Sequence, residues 1–310
     1  MTTDVKPQPP LADTVSAQAR AMLAPMLAAP PPPADMAIAD MRAFSEQMTG
    51  FLLAPLQAKY ATTIEDGELG GVPAKFVRPA EGADDSKGLL INFHGGGFVI
   101  DAGSLLESVP IAALSGLTVA TVFYRLAPEN RYPAAVDDAL AAYKAALAVH
   151  GADRIGVYGT SAGAVLTLQL MARIKAEGLA FPTAAGVFSG AGDLSRAGDI
   201  EGYLPPLQAG KATNQVIKEY IGDADPSDPL ISPQFGDLSG LPPTLVMSST
   251  RDLLLSHCAM LHLALRDAGN VSDLMVYEGM PHAFWAYVDC PESTAAFKAQ
   301  AQFLKGHIKP

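Results

Sequence analysis

A chain of 310 residues with 49% apolar and only 17% charged side chains has enough material for a large core, which excludes a disordered protein. Its 32 acidic residues against 21 basic ones give a net charge of −11, which repels phosphate backbones and anionic lipid. No nucleic-acid or membrane-surface partner is therefore expected. Cys258 and Cys290 are too few for a disulfide framework or a cysteine metal site. No apolar run reaches the roughly 18 residues of a bilayer span, and Met1-Thr2-Thr3-Asp4 lacks the basic start of a signal peptide. The expectation is a cytoplasmic chain.

The first ten residues carry three prolines and little to bury. From Val15 the apolar positions Val15, Met22, Leu23, Met26 and Leu27 follow a helical period, with Pro25 as a kink. Pro30 to Pro33 then force an extended stretch. A second helix is expected from near Asp35, with Met41, Phe44 and Met48 on one face. Residues 1–50 thus read as N-terminal cap helices, and 51–310 as the catalytic domain.

From about Thr62 short β-rich runs alternate with helical runs, the rhythm of an α/β fold with a mostly parallel sheet. The expected strands are Thr62–Glu65, Ala74–Arg78, Gly88–Phe93, Thr118–Tyr124, Arg154–Tyr158, Ala184–Phe188, Pro243–Ser248 and Leu274–Tyr277. Val136, Leu140, Tyr143 and Leu147 make a helix stripe that stops at Gly151. Further helices are expected from Ser161, from Ser256 to Gly269-Asn270, and from Pro291, with Phe297, Leu304 and Ile308 facing inward. More than fifty residues separate the strand ending at Phe188 from the one starting at Pro243. An over-long connection of this kind reads as a functional insertion, here a cap at about 190–235 containing a helix with Val216, Ile217, Tyr220 and Ile221.

Gly159-Thr160-Ser161-Ala162-Gly163 stands between a strand and a helix, the G-x-S-x-G pattern of a nucleophile elbow. The glycines are needed because the turn is too tight for side chains on either side of the serine. A helix N-terminus at Ser161 favours developing negative charge. An idle serine on a strand–helix turn is the plain alternative. His94-Gly95-Gly96-Gly97 ends an earlier strand, and its glycines free N–H groups to act as oxyanion donors with the N–H of Ala162. One such donor is worth roughly 3–4 kcal/mol of transition-state stabilisation.

An α/β-hydrolase needs an acid and then a histidine, each after a later strand. Asp252 and His282 hold those positions, giving the order Ser161, Asp252, His282. His282 would act as general base and then general acid, and Asp252 would fix its tautomer. Asp193 and Glu278 are competing acids, and Arg251 beside Asp252 is a candidate partner for its carboxylate. His150, His257, His262 and His307 fall in or at the ends of helices, and His94 belongs to the glycine loop. No metal motif and no dinucleotide fingerprint is present, so no metal and no cofactor are expected.

Together, His94–Gly97, Tyr124-Arg125-Leu126-Ala127-Pro128-Glu129, Tyr132-Pro133-Ala134-Ala135-Val136-Asp137-Asp138-Ala139 and the serine elbow resemble the hormone-sensitive-lipase-like, bacterial family IV esterases. Asp228-Pro229-Leu230-Ile231-Ser232-Pro233 and Leu238–Pro243 resemble the family's return from cap to core. The resemblance runs from about residue 60 to the C-terminus. It implies an α/β-hydrolase fold with a helical cap and a cofactor-free serine carboxylesterase acting on small, short-chain acyl esters. It places the nucleophile on Ser161, the acid on Asp252, the base on His282, and the oxyanion donors on Gly95, Gly96, Gly97 and Ala162. It also suggests a homodimer, and a buttressing pair between Arg125 and Glu129. Thr160, Leu253 and Ala164 depart from the family's common residues and point to a branch with a Gly-Thr-Ser-Ala-Gly elbow. A lactonase or amide hydrolase would use the same triad. A ligand-binding receptor or scaffold built on the fold would leave an intact triad without purpose. Met22, Met26, Met41, Phe44, Leu204, Val216, Tyr220 and Trp285 are the candidate wall residues of the substrate pocket.

Overall fold

The computed structural model describes residues 10–29, 36–82, 84–203 and 211–309. The expected Pro30–Pro33 segment, the helix start at Asp35 and the wall residue Leu204 lie outside them. All eight expected strands form one sheet: β1 (Thr62–Leu69), β2 (Val72–Pro79), β3 (Leu89–Phe93), β4 (Thr118–Val122), β5 (Ile155–Thr160), β6 (Ala184–Phe188), β7 (Thr244–Arg251) and β8 (Ser272–Pro281). Their spatial order is β1-β2-β4-β3-β5-β6-β7-β8. β1 and β2 run antiparallel at one edge, and β3 to β8 are mutually parallel. Every residue of β3, β4, β5 and β6 is buried, as strands covered by helices on both faces must be.

Register decides where chemistry can sit. Phe93, the last residue of β3, pairs with Gly159 of β5, and Thr160 pairs with Phe188 of β6. The loops that follow these strands therefore leave the sheet side by side at its carboxyl end, where open parallel sheets place their ligands.

Helices α1 (Ala17–Ala28), α2 (Ile38–Lys59), α3 (Ser104–Ser115), α4 (Ala134–His150), α5 (Ala162–Ala176), α6 (Lys211–Ile221), α7 (Leu255–Asp267) and α8 (Pro291–His307) complete the described elements. The stripe of α4 buries Val136, Leu140 and Tyr143, and α8 buries Phe297 and Leu304, while Ile308 follows the helix end. The sequence pattern did not disclose α3. Leu106, Glu107, Ser108, Val109, Ile111 and Ala112 are buried all round it and Pro110 lies inside it, so it shows no amphipathic period. Gly103 and Gly116, both left-handed, mark its ends.

The N-terminal helices depart from expectation. Val15, Ala19 and Leu23 are the buried residues around α1, while Met26 is exposed. Ser16 caps α1 and both its N–H and its hydroxyl donate to Glu292 at the start of α8, each at 2.8 Å. Helix α2 buries no residue completely, and Phe44 and Phe51 are 60% and 74% exposed. The stripe Met41, Phe44, Met48 is thus not its inward face. Its anchor is Arg42, which donates to the carbonyls of Val99 and Ala127 and to both carboxylate oxygens of Glu129, all at 2.8–2.9 Å. The helix runs through residue 50, so the expected division there falls inside it.

The expected Arg125–Glu129 pair is replaced by two others. Glu129 faces α2 and takes Arg42, while Arg125 grips Asp138 on α4 through its Nε and Nη2 at 2.8–3.0 Å. Asp138 also accepts the Arg125 backbone N–H at 2.8 Å. Both pairs are partly solvated, so they orient the segments they join more than they stabilise the fold.

Glu107 of α3 is buried against Asn92 of β3, whose amide lies 3.4 Å from its carboxyl. Burial pushes this carboxyl up to about 8 from an ordinary value near 4.5. The folded protein therefore keeps Glu107 protonated where the unfolded chain ionises it, and stability falls as pH rises from about 4.5 through 8. Glu107→Gln removes that loss. Melting temperatures across pH 5–9 should show a variant advantage that grows with pH, whereas a constant difference would contradict the buried neutral acid.

Candidate active site

Ser161 sits on the turn between β5 and α5 with φ +57° and ψ −118°, a conformation strained for a side chain. Two neighbours make room for it. A Cβ on Gly159 would collide with the backbone of Gly163 and with the carbonyl of Phe93, and one on Gly163 would strike the Phe93 carbonyl. The sequence thus needs glycine at both positions for β3, β5 and α5 to meet. The Ser161 N–H is held by the carbonyl of Phe188 at 2.9 Å.

His282 follows β8. Its Nε2 lies 3.0 Å from Ser161 Oγ and its Nδ1 lies 2.7 Å from Asp252 Oδ1. Asp252 follows β7 and is wholly buried. Its Oδ1 also accepts the Leu254 N–H at 2.9 Å, and its Oδ2 accepts the hydroxyls of Ser189 at 2.5 Å and Ser248 at 2.8 Å. Burial pushes the Asp252 carboxyl up. The imidazole of His282 and these donors outweigh it, so the group ends below the usual carboxylate range. A charged Asp252 can only accept, which puts the Nδ1 proton of His282 between them and leaves Nε2 free to accept from Ser161. Tyr287 fixes the other side of this loop by donating to the His282 carbonyl.

The competing acids lie elsewhere. Asp193 is occupied by Ser195 and by Arg196, whose Nε is at 2.9 Å. Arg251 donates to the carbonyl of Pro10 at 3.0 Å. Ser189 and Ser248 were not singled out in the sequence. Ser189 follows β6 directly and its positive φ of 47° marks it in the structure, but a lone serine after a strand carries no signal.

The His94–Gly97 loop leaves β3 beside the elbow. His94 stacks on Tyr124 with ring centroids 4.2 Å apart, and the Tyr124 hydroxyl donates to the His94 carbonyl at 2.7 Å. The carbonyls of Gly95 and Gly96 are tied inward by Ala102, Val99 and Ile100. Gly96 and Gly97 have φ of 113° and 62°, and among the described residues their N–H groups and that of Ala162 meet no acceptor. Gly95 lies so close that a Cβ would stand 3.3 Å from Ser161 Cβ.

A cavity of about 230 Å³ opens over Ser161 and His282. Gly97, Phe98, Val165, Ala191, Leu254 and Val216 supply apolar walls, and His257 and Glu201 a polar one. Among the described residues, Val216 is the one expected wall residue that lines it. Tyr220 instead anchors α6, stacking on Phe98 at 3.6 Å and donating to Gln169 Oε1 at 2.7 Å. Met22 and Trp285 line a separate cavity against α8. No group of three or more His, Cys, Asp or Glu gathers in metal-binding range among the described residues, and no helix there is long and apolar enough to cross a membrane.

A family model described as the alpha/beta hydrolase fold matches residues 90–286. The chain belongs to the α/β-hydrolase family. It is 30% identical over 245 residues to an acetyl-hydrolase of Streptomyces hygroscopicus, covering 76% of this chain and 81% of that protein. The carboxylic ester hydrolase LipN of Mycobacterium tuberculosis is 31% identical over 278 residues, covering 79% and 69%. The crystal structure of esterase E25 superposes with a TM-score of 0.86 at 30% identity, covering 97% of both chains. A hormone-sensitive lipase from a metagenome library gives 0.80 at 31% identity, covering 89% and 93%. This α/β-hydrolase is a carboxylic ester hydrolase of the bacterial hormone-sensitive-lipase type.

In this hydrolase the Ser189 and Ser248 hydroxyls stabilise a buried charge. Replacing Ser189 by Ala should cost about 1.5–3 kcal/mol in urea unfolding at neutral pH. A change below about 0.5 kcal/mol would mean that Asp252 is satisfied without it.

Proposed function

We propose that the hydrolase is a serine carboxylesterase for small, short-chain acyl esters, with Ser161 as nucleophile, His282 as base and Asp252 as the orienting acid. One observation carries this reading: Ser161, His282 and Asp252 stand in series at 3.0 and 2.7 Å beside N–H groups that meet no acceptor among the described residues.

Ser161 Oγ attacks the ester carbonyl carbon while His282 Nε2 takes its proton. The carbonyl oxygen becomes an oxyanion, stabilised by N–H groups of Gly95, Gly96, Gly97 and Ala162 at the N-terminus of α5. Collapse breaks the bond to the alcohol oxygen, which takes the proton from His282. Water then attacks the acyl-serine, gives its proton to the same Nε2, and the acid leaves as Ser161 is reprotonated. Asp252 stays charged throughout and balances the imidazolium.

The size of the cavity supports this substrate class. A cavity of about 230 Å³ over Ser161 and His282 has room for a short acyl chain and a small alcohol. Phe98, Val216 and Ile217 close it above the glycine loop, so α6 acts as a cap there.

Hydrolysis of p-nitrophenyl esters from acetate to palmitate by the intact protein and by Ser161→Ala tests the reading. Activity should peak between acetate and butyrate, and the substitution should remove roughly 10⁴–10⁶-fold in kcat. Activity that survives Ser161→Ala, or that rises toward palmitate, would contradict it.

A further inference from the structure

Helix α6 packs on the main chain of the glycine loop itself. Gly97 has φ +62°, and a Cβ there would stand 2.2 Å from Val216 Cγ1. The next residue, Phe98, is 1% exposed and also left-handed, with φ +65°. A side-chain residue keeps such a conformation only where its surroundings enforce it. The Phe98 carbonyl accepts the Ala127 N–H at 2.8 Å, and its ring is flanked by two tyrosines. Tyr220 of α6 stacks on it with centroids 3.6 Å apart and planes 3° apart, while Tyr124 lies tilted at 6.1 Å. At 3.6 Å the Tyr220 and Phe98 rings are in van der Waals contact, which leaves no slack between them.

Tyr220 is itself held on several sides. It is fully buried, and its hydroxyl donates to Gln169 Oε1 at 2.7 Å. Gln169 Nε2 in turn donates to the Ile231 carbonyl at 2.8 Å, and the Tyr220 carbonyl accepts the Tyr132 N–H at 2.8 Å. Gln169 belongs to α5, the helix that begins at Ala162. Tyr220 therefore touches both sources of the N–H groups around Ser161, the glycine loop through Phe98 and α5 through Gln169. It does not line the cavity, so it can influence a bound ester only through those neighbours.

We propose that Tyr220 is a positioning residue for ester hydrolysis, its ring holding Phe98 so that the N–H groups of Gly96 and Gly97 stay aimed at the same point as that of Ala162. The proposal rests on the acyl-transfer reading above and adds a second role to α6, which completes the reacting site as well as closing the pocket. Donors stabilise an oxyanion only when each stands roughly 2.7–3.1 Å from the oxygen, so a small drift of the loop is felt in the transition state before it is felt in binding.

The test compares the intact protein with Tyr220→Leu, which removes the ring, and Tyr220→Phe, which keeps the ring and loses the hydroxyl. Active sites are counted by the p-nitrophenol released on stoichiometric reaction with diethyl p-nitrophenyl phosphate, so that unfolded protein does not enter kcat. Tyr220→Leu should lower kcat on p-nitrophenyl acetate about tenfold to hundredfold and leave KM within about threefold. The inhibition constant of trifluoromethyl propyl ketone should rise by the same factor. Ser161 Oγ adds to its carbonyl carbon, the proton passes to His282, and the opened π bond leaves an oxyanion on the same N–H groups. Tyr220→Phe should keep both quantities within about threefold of the intact protein. Where Tyr220→Leu does not fold by circular dichroism, Tyr220→Met, which fills similar space without a ring, carries the same expectation. A kcat within threefold in the ringless variant would overturn the proposal. So would a change in KM alone, a fall in kcat with no matching rise in the inhibition constant, or an equal loss in Tyr220→Phe. Absence of both hydrolysis and ketone inhibition in the intact protein is a different failure, because it removes the acyl-transfer reading itself.

Discussion

The whole site depends on one close approach: the Phe93 carbonyl at the end of β3 against the glycines of the elbow. Phe93 and Gly159 are register partners, and a side chain on Gly159 or Gly163 would occupy the space of that carbonyl. Because the strands meet there, the glycine loop after β3 and the serine turn after β5 emerge within reach of one acyl group. The strain at Ser161, with φ +57°, is held by the buried sheet around it and by the Phe188 carbonyl. A loss of contact between β3 and β5 would separate Ser161 from the N–H groups of the glycine loop without altering either.

The second constraint is electrostatic. A wholly buried carboxylate is costly unless its oxygens are fully engaged, and Asp252 meets that condition with two serine hydroxyls, one backbone N–H and His282. β6, β7 and β8 each bring one part of this arrangement, so the parallel order of the sheet is what assembles it. The same order leaves His257 on α7 to face the pocket, since that helix begins three residues after Asp252. Acid and substrate wall are thereby built by one short stretch of chain.

Much of this was legible in the sequence because the motifs are local. The eight strands follow from β-rich runs, and the elbow and glycine loop follow from residues adjacent in the chain. Asp252 and His282 were found by order along the chain, and the distances of 2.7 and 3.0 Å show them gathered on Ser161. What the sequence hid is non-local or lacks a period. α3 is buried all round and so has no polar face to reveal it. Arg125 chooses Asp138 and Glu129 chooses Arg42 because α2 and α4 pack where no spacing rule reaches. Met22, Met26, Met41 and Phe44 of the N-terminal helices read as pocket walls, yet none of them lines the cavity, where Val216 of α6 does. His257 read as one more helical histidine, and its place beside Glu201 depends on a turn more than fifty residues earlier.

The central claim is that Ser161, activated by His282, is the atom that takes the acyl group. Its most direct measurement is mass spectrometry after treatment with diethyl p-nitrophenyl phosphate, which transfers one phosphoryl group to an activated serine and stops there. The account predicts a single diethylphosphoryl adduct on the peptide containing Ser161, formed in step with loss of activity and absent from the His282→Ala variant. A stoichiometric adduct on another residue, or full inactivation with Ser161 unmodified, would contradict it.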